Sequence, residues 1–141
     1  MCSSDLVSAV NERRLSLFIA ECYDYDTINE PNRSVSFNSS SAETVCNKEK
    51  FTPERWIRFI GSGGAAIPNN PPQAHHCGTS NPGWIEGGHP SVRDGVVDRT
   101  LCFRHEDDNC QIDKYEISIR NCGQYYVYKP PGDIKECSLR L

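Results

Sequence analysis

With 141 residues the chain has room for one domain. Its 19 acidic and 15 basic side chains leave a net charge of −4, and no basic stretch is interleaved with aromatics, which argues against a nucleic-acid surface. Only 37% of residues are hydrophobic, mean hydropathy is −0.60, and no apolar run approaches the roughly 18 residues a membrane-crossing helix needs.

Eight cysteines dominate this composition. In a chain with so thin an apolar supply they point to disulfides formed in an oxidising compartment. Each bridge is worth about 2–4 kcal/mol through its constraint on the unfolded chain. Zinc would need clustered C-x-x-C or H-x-x-x-H pairs. Here even the nearest cysteines, Cys102 and Cys110, have an acidic segment between them. We therefore read Cys22, Cys46, Cys77, Cys102, Cys110, Cys122 and Cys137 as bridge-forming, with no metal, no cofactor and no catalytic residue.

Residues 1–20 form a segment whose role its residues leave open. "NERRLSLFIAEC" places Arg13 and Arg14 ahead of an apolar stretch. That stretch, Leu15 to Ala20, falls short of the 7–15 residues of a signal-peptide core, and Asp5 and Glu12 interrupt the charged flank. The segment reads as a fragment boundary, an incomplete gene reading or a strand leading into Cys22, so export is inferred from the cysteines alone. The cysteine-rich domain occupies 21–141. Its first part is polar and turn-rich, with two N-x-S sequons at Asn32 and Asn38 as glycosylation candidates.

"RWIRFIG" (55–61) predicts a strand buried on both sides, with Ile57 and Phe59 on one face and Trp56 and Ile60 on the other. "GSGGAAIPNNPP" (61–72) is irregular, because glycine and proline dominate it. Its G-x-G-x-x-A string at Gly61, Gly63 and Ala66 is no dinucleotide fingerprint, since Pro68, Pro71 and Pro72 forbid the helix such a site requires.

"HHCGTSNPGWIEGGHP" (75–90) admits three readings: a metal site, a Cys-His nucleophile or a shaped loop. Adjacent His75 and His76 face opposite ways in an extended segment, and His89 and His105 are remote in sequence, so spacing supports no metal site. A thiolate nucleophile favours a helix N-terminus beside a base, whereas Cys77 precedes turn chemistry. We therefore read a loop shaped by its glycines and prolines, anchored by Trp84 and stapled through Cys77.

Asp94-Gly95 predicts a two-residue hairpin turn into a strand over 96–103, with Val97, Leu101 and Phe103 on one face. Residues 104–110 form an acidic, solvated tip. "KYEISIR" (114–120) alternates most cleanly, Tyr115, Ile117 and Ile119 against Glu116, Ser118 and Arg120. It pairs as a hairpin with "QYYVY" (124–128), Cys122 lying at the turn. The expected fold is mainly β, with a small α+β variant still open: disulfide-rich antiparallel sheets joined by long Gly/Pro loops.

These blocks carry a family resemblance. "RWIRFIGSGGAAIP", "CGTSNPGWIEGGHPSVRDGVVDRTLCF", "ISIRNCGQYYVY" and "CSLRL" resemble the uromodulin-type eight-cysteine extracellular domain. That domain is shared with the pancreatic zymogen-granule membrane glycoprotein and a liver-specific secreted relative. The resemblance implies a secreted, non-enzymatic module, and in uromodulin-like proteins a decoy whose high-mannose glycan is bound by bacterial fimbrial adhesins. Where those proteins carry an Asn-Gly-Thr sequon, this chain has Glu86, Gly87 and Gly88. The resemblance also implies one more cysteine just beyond the segment matching Cys137 to Leu141, so an in-domain cysteine lacks a partner unless Cys2 supplies it.

The expected function is a non-enzymatic extracellular recognition or structural module of a secreted or surface glycoprotein, with Trp84, Glu86 and His89 as its candidate binding surface. Its expected partners are microbial adhesins reached through its own glycans, other glycans or other extracellular proteins, with neither nucleic acid nor membrane insertion. One alternative is a lectin-like domain, with a sugar stacked on Trp84 and bonded by Glu86, Asp94 or Asn81. Another is a matrix module crosslinked through an odd cysteine.

Overall fold

A computed structural model describes residues 19–34, 54–74, 81–104, 110, 114–132 and 139–140. Among them are seven strands: β1 (Asp26–Ile28), β2 (Ile57–Phe59), β3 (Asn81–Glu86), β4 (Val96–Phe103), β5 (Lys114–Asn121), β6 (Tyr126–Lys129) and β7 (Leu139–Arg140). The described helical structure is limited to 3-10 turns at Ala20–Cys22, Pro31–Arg33, Gly61–Gly63 and Val92–Asp94. The strands join in the order β1-β2-β6-β5-β4-β3-β7. The middle is antiparallel, as expected, but both flanks close with parallel pairs, β1 on β2 and β3 on β7.

Alternation decides which side chains go inside. On β4, Val97, Leu101 and Phe103 point to the inner face, and on β5 Tyr115, Ile117 and Ile119 do. The β4–β5 register sets Leu101 opposite Tyr115 and Val97 opposite Ile119, so the two apolar rows meet as cross-strand pairs. Ile28, Ile57, Phe59, Ile85 and Tyr128 extend this core across the sheet. The Gly/Pro segment crosses the inner face: Ile67 joins the core, its N–H donates to the Tyr128 hydroxyl at 3.0 Å, and Pro68 O accepts Ile85 N–H at 2.8 Å.

β2 does serve two sides, though it is shorter than the sequence suggests. Ile57 and Phe59 lie in the inner core, while Trp56 packs on an outer cluster of Cys22, Cys122 and Val127. The Cys22–Cys122 disulfide holds the first 3-10 turn against the β5–β6 hairpin, with Cα atoms 5.8 Å apart. Arg120 donates to the Glu21 carboxylate at 2.6 Å and reinforces that contact. A second disulfide, Cys102–Cys110, staples the start of the β4–β5 connection.

Two local expectations differ from the structure. Residues 81–86 are a strand rather than a loop, because β4 and β7 offer hydrogen-bond ladders on both sides. Pro82 is tolerated because it lies where the β4 ladder ends and contributes only its carbonyl, which accepts Arg104 N–H at 3.0 Å. Asp94-Gly95 does not close a two-residue hairpin. Gly87 and Gly88, at φ +93 and +77, turn the chain away directly after Glu86. It then returns through a capped 3-10 turn in which Ser91 N–H donates to the Asp94 carboxylate at 2.8 Å.

Candidate functional site

The outer face of β3, β4 and β5 carries the sheet's polar residues. The register sets Glu86 beside Thr100 and Thr100 beside Glu116 in one cross-strand row. The next row runs Trp84, Cys102, Lys114. An open groove of about 580 Å³ on this face is lined by Glu86, Asp98, Arg99, Thr100, Lys114 and Glu116. Asp98 accepts the Ser118 hydroxyl at 2.8 Å, and the Arg99 guanidinium donates to the carbonyls of Gly88 at 3.0 Å and Asp98 at 3.1 Å. The groove thus presents carboxylates and one ammonium on a rigid three-strand platform.

Trp84 and Glu86, two positions apart on β3, share this outer face. Glu86 is exposed and Trp84 half-buried. The Trp84 indole N–H is enclosed and has no hydrogen-bond partner among the described residues, although a buried indole N–H normally finds one. His89 belongs elsewhere. Past the Gly87–Gly88 turn it reaches β6, with Nε2 2.7 Å from the Tyr128 hydroxyl and Nδ1 2.5 Å from the Asn69 carbonyl oxygen. Its ring lies 4.4 Å from that of Tyr126. Burial, and then the Arg99 charge, hold its pKa below the ordinary histidine value of 6.5. Burial drives the Tyr128 hydroxyl in the opposite direction, far above the usual phenol range, so it keeps its proton as a donor.

Of the acceptors considered for a sugar, Asp94 is committed to Ser91, whose N–H also holds the Asp94 pKa below the usual carboxylate range. Asn81 is partly buried at the start of β3. Asn32 stands in the Pro31–Arg33 turn. Cys46, Cys77, Cys137, Asn38, His75, His76 and His105 lie outside the described residues. The Glu86 carboxylate and the sulfurs of Cys102 and Cys110 lie within 4.8 Å of one another. The two sulfurs are bonded to each other, so they offer no thiolates to a cation.

The sequence reading missed a second outer patch around β2 and β6. Arg58 stacks 3.8 Å from the Tyr125 ring centroid and donates to the Tyr25 hydroxyl at 3.0 Å. The Tyr125 hydroxyl donates to Cys22 O. The aromatic run "QYYVY" was the available signal, but Tyr25 joins it only through folding.

Comparison with known proteins matches residues 57–140 to the family model of the uromodulin-like eight-cysteine domain. The pancreatic secretory granule membrane major glycoprotein of Canis lupus familiaris is 36% identical over 120 residues, covering 84% of this chain and 22% of the relative. Its Homo sapiens counterpart is 35% identical over 120 residues, covering 84% and 21%. Uromodulin of Rattus norvegicus is 34% identical over 122 residues, covering 84% and 17%. The chain therefore spans about a fifth of the length of these relatives.

Proposed function

The chain belongs to the uromodulin-like domain family, and from that premise we propose that it is a non-enzymatic recognition or structural module of a secreted or surface glycoprotein. The observation that carries this reading is covalent. Two disulfides join segments 100 and 8 positions apart, and bonds of this kind persist in oxidising compartments. The name of the pancreatic relatives, a glycoprotein of the secretory granule membrane, agrees with such a compartment. Recognition would run through glycans on Asn32 and Asn38, bound by microbial adhesins, or through the rigid outer face around Trp84 and Glu86.

The glycan-bearing turn implied by the resemblance has a different character here. A Cβ at Gly87 would sit 3.2 Å from Arg99 Cδ, and Arg99 Nε already holds the Gly88 carbonyl. The turn is fastened to β4 by a side chain and carries no sequon. Any decoy role therefore falls to the sequons at Asn32 and Asn38.

The test is secretion of the chain from eukaryotic cells, followed by alkylation without reductant and mass spectrometry. Cys22, Cys102, Cys110 and Cys122 should resist alkylation, and Asn32 or Asn38 should carry a glycan that peptide-N-glycosidase removes. Alkylation of those four thiols would overturn the reading.

A glycan-binding, lectin-like face is the second reading. It is favoured by the groove of carboxylates beside half-buried Trp84, since aromatic faces stack on sugars and carboxylates accept their hydroxyls. Titration against an oligosaccharide array, with Glu116→Gln as control, separates it from the first. The crosslinked matrix module predicts disulfide-linked multimers on non-reducing electrophoresis; a monomer with every thiol accounted for would exclude it.

A further inference from the structure

We propose that Arg58 and Tyr25 form a binding site for an acidic sugar, whose anionic group sits on the Arg58 guanidinium. The site lies on the outer patch at β2 and β6, two strands away from the groove on β3, β4 and β5. Arg58 is a charge without a counter-charge. Arg33 pairs with Glu30, Arg55 with Asp24 at 3.1 Å and Asp26 at 2.9 Å, and Arg120 with Glu21 at 2.6 Å. Arg58 is half-buried and holds no carboxylate among the described residues. Taking a cation partly out of water without an anion is unfavourable. Two tyrosine rings and one hydroxyl offset that cost only in part.

The donors around this charge are held in place before any ligand arrives. Tyr25 and Tyr125 each lie three positions after a cysteine of the Cys22–Cys122 bridge, so one disulfide brings both rings to Arg58. The rings stand 5.8 Å apart at 58° to each other. The guanidinium lies 3.8 Å from the Tyr125 centroid and 5.8 Å from that of Tyr25. The Tyr125 hydroxyl donates to Cys22 O, which fixes that ring. Arg58 Nη1 donates to the Tyr25 hydroxyl at 3.0 Å. Its Nε and Nη2 have no acceptor among the described residues, and their parallel N–H bonds match two oxygens of a carboxylate or a sulfate. The Tyr25 oxygen already accepts from Arg58, so its own hydrogen is left for a ligand hydroxyl.

The surroundings favour a sugar over an acidic peptide. Asp24 and Asp26 flank Tyr25 in sequence, and their side chains are 74% and 50% exposed. They repel a ligand that carries several negative charges. A single anionic group on an otherwise neutral ring escapes most of that repulsion and still supplies the counter-charge that Arg58 lacks. The body of such a ring bears hydroxyls, which suit the Tyr25 O–H, and C–H faces, which suit a tyrosine ring. A carboxylate-bearing sugar and a sulfated sugar share this chemistry.

The test is an NMR titration of the full disulfide-bonded chain, with its N-glycans removed, against the methyl glycoside of N-acetylneuraminic acid and against sulfated galactose. The Arg58 Nε–H and the amides of Tyr25 and Tyr125 should shift with at least one of them, and which one identifies the anion. The methyl ester of the first sugar and plain galactose lack the charge and should leave those signals in place. Arg58→Lys keeps the charge but loses the fork, and should weaken binding by about tenfold or more. Arg58→Gln should abolish it. Should neither variant fold, the comparison of acid with ester on the wild-type chain decides the matter. No shift with either acidic sugar, equal shifts with the ester, or undiminished binding in Arg58→Lys would overturn the site. So would shifts confined to the β3–β5 groove, or an acidic peptide that binds as tightly as the sugar.

Discussion

The two disulfides among the described residues close loops of very different length, and that difference gives a quantitative test of how they stabilise the domain. In the chain-entropy account a crosslink restricts the unfolded ensemble more as its loop lengthens. Cys22 and Cys122 are 100 positions apart, which corresponds to about 4.7 kcal/mol at 25 °C. Cys102 and Cys110 are 8 apart, which corresponds to about 2.5 kcal/mol. The short loop lies inside the long one, so it trims the long loop by only a few residues. The native-state cost of removing each bridge is similar, since Cys22, Cys122 and Cys102 are at most 1% exposed and Cys110 is 6% exposed. The comparison of C22A/C122A with C102A/C110A therefore isolates the unfolded chain. The long-loop variant should be less stable than the short-loop one by about 2.2 kcal/mol, which is a gap of about 1.5 M in urea midpoint for an m-value of about 1.5 kcal/mol per M. The assay is urea unfolding followed by tryptophan fluorescence under non-oxidising, non-reducing conditions. Equal midpoints, or a lower midpoint for C102A/C110A, would refute the reasoning.

Ile119 is fully buried in the central strand, so Ile119→Ala should cost about 2–5 kcal/mol in urea or thermal unfolding, with the pattern of exchange protection unchanged. A Cβ at Gly63 would lie 2.1 Å from the backbone oxygen of Glu30, which no rotamer change can relieve; Gly63→Ala should cost about 1–3 kcal/mol, against a neutral Ser62→Ala at the neighbouring exposed site. Tyr128→Phe keeps the ring but strands Ile67 N–H and His89 Nε2, and at pH 7.5 it should lose about 1–3 kcal/mol and selectively deprotect the Ile67 amide.

Much of the sheet could be read along the chain. In "KYEISIR" every second side chain is apolar, and because strand side chains alternate by geometry the inner face of β5 follows from that pattern alone. The same holds for Val97, Leu101 and Phe103 on β4 and for the hairpin with Cys122 at its turn. The count of cysteines against a thin apolar supply is likewise a property of composition. The candidate surface was less readable: Trp84 and Glu86 share a face, but His89, three residues further on, faces the opposite side of the sheet.

The rest depended on contacts between distant residues. "NPGWIE" has the glycine and proline of a loop, yet it forms a strand because β4 and β7 offer backbone partners that outweigh local preference. Eight cysteines allow 105 complete pairings; only the closed sheet brings Cys22 to Cys122 and Cys102 to Cys110. His89 meets Tyr128 and Asn69 by the same route. Local alternation and composition are written residue by residue and can be read that way, whereas a bond between remote residues exists only once the chain between them has found its course.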